Sequence, residues 1–136
     1  MFTGIIQHLG VFKAYGRGKQ ELILEAPAEF PDLPPGESVA VNGVCLSLTR
    51  KAGPGLVFDL SRETLGKTHL GSLRPGERLN LEVPLTLQAL LSGHLLTGHI
   101  DGRGRIASVA DRRPGKRLKI SFPRELRPYL VPKGSV

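Results

Sequence analysis

The segment Val44-Cys45-Leu46-Ser47-Leu48-Thr49 alternates in character. As a strand it would place Val44, Leu46 and Leu48 on one face and Cys45, Ser47 and Thr49 on the other. The first face suits a core. The second is a row of small polar groups that fits either the carbonyl and ring-nitrogen edge of a flat heterocycle or plain solvent, and Cys45 fits a small buried hydrophobe as well as a nucleophile. His94 and His99 each follow a glycine, in Ser92-Gly93-His94 and Thr97-Gly98-His99. A glycine there lets a ligand approach the backbone, and imidazole moves protons near neutral pH, although a hydrogen-bonded structural histidine has the same signature. Their spacing of five puts them on opposite faces of a regular strand, and no carboxylate pair stands nearby, so a shared metal is disfavoured. His8 and His69 lie in turn-like surroundings that suggest surface positions.

Three other patterns fail on context. Gly102-Arg103-Gly104-Arg105-Ile106-Ala107 has dinucleotide-binding spacing but runs toward a strand, whereas that fingerprint must open a helix. Gly16-Arg17-Gly18-Lys19 lacks the spacing and the Ser/Thr of a phosphate-binding loop. The basic cluster Arg112, Arg113, Lys116, Arg117 and Lys119 straddles Pro114-Gly115 and reads most simply as a solvated hairpin. A net charge of +7 keeps nucleic acid open as a partner, but Trp is absent and the five Phe and two Tyr are scattered, so no stacking platform is apparent. A basic nucleic-acid-binding barrel is therefore the remote alternative, and no nucleic acid partner is expected. The lone Cys45 forms no internal disulfide, the N-terminus has no basic n-region, and no apolar run approaches a membrane span. These features lead us to expect a cytoplasmic protein without a membrane partner.

Seventeen Gly and eleven Pro cut the chain into short pieces that must position these groups. Strands are predicted at Val11–Tyr15 and Glu21–Glu25 around a Gly16–Lys19 loop, then at Ser38–Val41, Val44–Thr49, Leu56–Leu60 and Arg78–Val83. Asn42-Gly43 is a strong two-residue hairpin signal. Further strands are predicted at Gly98–Val109, kinked at its glycines, and at Arg117–Ser121. Short helices are predicted after Ser61, whose hydroxyl can cap Arg62-Glu63-Thr64, and at Leu85–Leu91 and Arg124–Tyr129. About six short strands in the first 90 or so residues imply a small antiparallel barrel, which removes exposed edges.

Two echoes suggest an internal repeat. Phe2-Thr3-Gly4-Ile5-Ile6 aligns with Leu96-Thr97-Gly98-His99-Ile100, and Pro35-Gly36-Glu37-Ser38-Val39 with Pro132-Lys133-Gly134-Ser135-Val136. We expect one barrel over 1–93, with 94–136 linking to and opening a second, incomplete one. The final residues, Val131–Val136, are expected to be mobile unless a neighbour captures them.

Six stretches, in order from Met1 to Gly102, carry a resemblance: Met1–Ile6 (MFTGII), Val41–Leu46 (VNGVCL), Glu63-Thr64-Leu65, Leu70-Gly71, Asn80-Leu81-Glu82 and Gly93–Gly102 (GHLLTGHIDG). Together they closely resemble the riboflavin synthase family of the α-chain type. The resemblance implies an all-β fold, a small six-stranded antiparallel Greek-key barrel with short helices, occurring twice in a full-length member and followed by a trimerising helix. It implies a cofactor-free dismutation of two 6,7-dimethyl-8-ribityllumazine molecules to riboflavin and 5-amino-6-ribitylamino-uracil, and no metal is expected from the residues. Carried over by position, the ligand contacts fall on Phe2, Thr3, Gly4, Ile5, Ile6, Cys45, Leu46, Ser47, Asp59, Leu60, Ser61, Arg62, Glu63, Thr64, Gly98, His99, Ile100 and Lys133. Ser38, Cys45, His94 and His99 match the polar residues associated with catalysis. His99 would transfer a proton at the ring methyl or the added nucleophile, and Ser38 and Cys45 would polarise the pteridine or orient water.

The chain departs from the family pattern at three places. Ser47 stands where Thr is usual, Ser92 replaces the first glycine of a Gly-Gly-His, and a second barrel is not completed by Val136. A full family site lies between barrels of two subunits, so this chain is expected to supply half of one, as a trimer in a complete chain or by pairing of two copies. A non-catalytic lumazine- or flavin-binding barrel is the alternative.

Overall fold

A computed structural model of the chain describes residues 1–91 and 93–136, and the departure at Ser92 lies outside them. They fall into two compact units, Met1–His99 and Ile100–Val136.

The first unit is a closed six-stranded barrel. β1 (His8–Gly16), β2 (Glu21–Glu25), β3 (Ser38–Val41), β4 (Val44–Ala52), β5 (Gly55–Asp59) and β6 (Arg78–Glu82) pair in the order β1-β2-β5-β4-β3-β6, with β6 returning to β1. Each neighbouring pair is antiparallel. The links from β2 to β3 and from β5 to β6 each pass over two strands, which is Greek-key connectivity. Bulges between Phe12 and Ala14 and between Leu48 and Arg50 bend β1 and β4, sharpening the local twist that closure needs.

Alternation dictates what fills the barrel. Phe12, Leu22, Leu24, Val39, Val41, Leu46, Leu48, Leu56, Phe58, Leu79 and Leu81 are all buried. Val44, Leu46 and Leu48 point inward as their spacing predicts, leaving Cys45 half-buried and Ser47 and Thr49 exposed outside. The predicted Asn42-Gly43 turn joins β3 to β4 with φ of 48° and 82°, the left-handed pair that a tight hairpin demands. Ser61 caps the only α-helix among the described residues, α1 (Arg62–Lys67), by accepting from Thr64 N at 3.0 Å.

Three expectations differ from the structure. Leu85–Leu91 is not helical: Leu85 N donates to Met1 O at 2.8 Å, a turn closes from Ala89 N to Thr86 O, and Leu87 and Leu90 are exposed. The apolar spacing mimics a helix, yet the segment spends its first N–H on the N-terminal residue. The strand expected from Gly98 begins only at Arg105, after a glycine-punctuated extended stretch. His8 is no turn residue; it opens β1, half-buried, with its ring edge-on to Phe30 at 5.2 Å.

The second unit contains the hairpin β7 (Arg105–Asp111) and β8 (Lys116–Ser121), followed by a 3-10 turn over Arg124–Tyr129 with Pro128 inside it. Register sorts the ribbon into an apolar face, Ile106 opposite Ile120 and Val109 opposite Leu118, and a basic face bearing Arg105, Arg117 and Lys119. Residues 1–99 carry nine Lys/Arg and nine Asp/Glu. Residues 100–136 carry ten against three, so the whole net charge of +7 sits in the second unit.

Candidate functional site

Pairing carries the polar row of β4 across the outside of the barrel. Ser38 on β3 lies opposite Ser47, and the β4–β5 register, Leu48 opposite Phe58, continues toward Ser47 and Asp59. A second row lies two residues along: Glu82 on β6, Ala40 on β3 and Cys45 on β4 are successive partners. Although this row faces outward, Glu82 and Ala40 are buried, at 3% exposure each.

Two chain segments roof it. The N-terminal segment lies over Glu82, whose Oε1 accepts from Thr3 N at 2.6 Å and Thr3 Oγ1 at 2.7 Å, and whose Oε2 accepts from Gly4 N at 3.1 Å. Residues 96–98 lie over Cys45, whose N donates to Gly98 O at 2.8 Å. The two roof pieces are joined by a bridge in which Phe2 N donates to Leu96 O at 2.8 Å and Leu96 N to Phe2 O at 2.9 Å. Gly98 has φ of 74°, and a Cβ there would sit 2.8 Å from Cys45 Cβ. Only glycine fits both the conformation and the gap.

The structure thus brings Phe2, Thr3, Gly4, Cys45 and Gly98 together, with Ser47 and Ser38 beside them. Ile5 and Ile6 follow the roof with their side chains about half exposed, apolar surface at the rim of a polar strip. His99 comes next after Gly98, exposed, its N held by Thr97 Oγ1 at 3.2 Å. The side chains of Phe2, Leu46 and Leu60 are buried, leaving their backbones to offer a ligand. His94 is exposed. Ile100 and Lys133 belong to the second unit.

Beyond β5, Asp59, Leu60, Ser61 and Arg62 line a cleft of about 520 Å³ whose other wall is Arg17, Gly18 and Gln20. Arg17 bridges Asp59 and the buried Glu21, and Glu21 also takes Arg50 Nη1 at 2.9 Å. The hydroxyls of Ser61 and Thr64 are 2.8 Å apart at the start of α1. A hydrogen bond and the positive charge of Lys67, 2.8 Å away, hold the Glu63 carboxyl below its ordinary range.

Sequence reasoning gave no site role to Glu82 or Arg17. Glu82 stood inside a family-like motif, and that was its only signal. Arg17 sat in a loop discarded as a phosphate binder. Among the described residues no group of three or more His, Cys, Asp and Glu is placed to hold a metal. No helix among them is long and apolar enough to cross a membrane.

Residues 3–84 match the lumazine binding domain family. The riboflavin synthase of Mycobacterium bovis is 36% identical over 141 residues, covering 100% of this chain and 69% of that protein. Among solved structures, LumP complexed with 6,7-dimethyl-8-(1'-D-ribityl)lumazine superposes with a TM-score of 0.75 at 26% identity, covering 92% of this chain and 71% of that one. LumP complexed with riboflavin gives 0.75 at 27%, covering 93% and 70%. The roofed barrel face and these likenesses agree, and the chain belongs to the lumazine-binding family, of the riboflavin synthase type.

Proposed function

We propose that the chain is a riboflavin synthase, its barrel binding one 6,7-dimethyl-8-ribityllumazine on the strip formed by the roof, Cys45 and Ser47, with the ribityl chain reaching toward Asp59–Thr64. The supporting observation is the closure of Gly98 onto Cys45, which seats the 96–98 backbone over the outward polar row of the barrel. One bound lumazine gives up a ring-methyl proton and the other adds a nucleophile, after which a four-carbon unit passes between them. Stacking two rings in register turns a bimolecular encounter into an oriented one. His99 and Cys45 stand where a proton can be moved or water oriented, and Ser38 lies alongside. Two barrels must therefore meet in a homo-oligomer, in the cytosol, with small molecules and no nucleic acid as partners.

The test is fluorescence titration of the chain with riboflavin and with the lumazine, followed by single-turnover measurement across protein concentrations. Saturable binding, with a rate per chain that rises as copies pair, is the expected result. Absence of saturable binding to both ligands would sink the reading, whereas binding without turnover at any concentration would reduce the chain to a binding barrel.

A further inference from the structure

We infer that Glu82 is the positioning residue of the proposed ligand site, acting through the roof and not on the ligand. This rests on the function proposed above. A carboxylate buried to 3% exposure is retained only if its oxygens are hydrogen-bonded. Among the described residues, the three donors that satisfy it come from residues 3 and 4, nearly 80 positions away in sequence, and none comes from the strands that flank it. The partnership therefore ties down one segment and contributes nothing to strand pairing.

The consequence spreads along the roof. Glu82 fixes Thr3 and Gly4; Phe2, the residue before them, is joined by two hydrogen bonds to Leu96; two residues on, Gly98 is seated over Cys45. Glu82 and Cys45 are the ends of one cross-strand row with Ala40 between them, so the roof is pinned at both ends. Ile5 and His99 emerge from the two pinned pieces. Losing the Glu82 end leaves the barrel intact and lets both ligand-facing segments wander.

Glu82→Gln tests this in the full chain. The amide keeps the volume, but its NH2 meets N–H donors, so at least one of three hydrogen bonds is lost. Amide exchange at Thr3, Gly4 and Leu96, read by NMR, should accelerate about tenfold or more, and riboflavin affinity should fall about tenfold, while core amides such as those of Leu22 and Leu81 keep their protection. Wild-type exchange at residues 3 and 4 together with wild-type affinity would overturn the inference. Should Glu82→Gln fail to fold, Thr3→Val removes the hydroxyl that donates to Glu82 and also accepts from Ile5 N at 3.2 Å; faster exchange at Gly4, whose N–H is held by Glu82 and not by that hydroxyl, supports the clamp, and unchanged exchange at Gly4 overturns it. Failure of the functional reading is seen separately, as a wild-type chain that binds no riboflavin, and the exchange measurement still decides the role of Glu82.

Discussion

The Cys45 N–H donates to the Gly98 carbonyl at 2.8 Å, and that approach leaves no room for a side chain at residue 98. Gly98→Ala would meet the left-handed φ of 74° and the Cys45 backbone at once. The conformational cost alone is about 1–2 kcal/mol, so the 96–98 segment should lift from the barrel and ligand affinity should drop. Riboflavin titration and urea melts check this. Undiminished affinity would show that the segment does not shape the site.

His99 and His94 should separate kinetically. His99 adjoins the seated Gly98, while His94 lies exposed before the Phe2–Leu96 bridge. In an oligomer that turns over, His99→Gln is expected to slow single turnover by about 10²-fold or more, the usual weight of a general acid–base group, and His94→Gln by much less. Equal effects would remove the distinction.

Asn42 has two tasks that substitution can divide. Its φ of 48° serves the hairpin, its Oδ1 accepts from Asn80 N at 2.7 Å, and its Nδ2 lies 2.9 Å from His69 Nε2. Asn42→Gly keeps the turn and loses the hydrogen bonds, at about 1 kcal/mol; Asn42→Ala loses both and should cost about 2 kcal/mol in urea unfolding.

Tyr15 predicts a pH dependence. Its hydroxyl donates to Leu70 O at 2.6 Å and accepts from Leu73 N at 2.8 Å, and burial pushes its pKa above 10, with the Leu73 hydrogen bond opposing and Glu77 adding to the rise. The folded state then holds the proton more tightly than the unfolded state. This contribution is fully present below pH 10 and is lost as pH rises through the higher folded value. Urea stability should fall more steeply above pH 10 in wild type than in Tyr15→Phe. The variant should itself be about 1–2 kcal/mol less stable at pH 7, with two backbone groups left unpaired.

Much of this architecture was legible, for local reasons. Asn42-Gly43 can scarcely be anything but a tight turn, and the Val44–Leu48 alternation sorts inside from outside without knowledge of neighbouring strands. Ser61 announced α1 through capping chemistry that operates within four residues. What stayed hidden depends on distant partners. Glu82 has no legible role in the strand predicted over Arg78–Val83 until Thr3 and Gly4 arrive over it. Leu85–Leu91 has helical spacing, but its fate is set by a hydrogen bond to Met1. Cys45, Ser47 and Gly98 were legible as candidates; only the fold shows that Gly98 closes on Cys45 and that a glutamate holds the other end of the same roof.

The uneven charge has a practical side. With residues 1–99 balanced, the pI near 10.1 is a property of the last 37 residues alone. On a cation-exchange column the barrel would be carried by its appendage. Proteolysis after His99 should release a basic peptide that binds the resin and a barrel that passes through it, so elution position reports chain integrity before any gel is run.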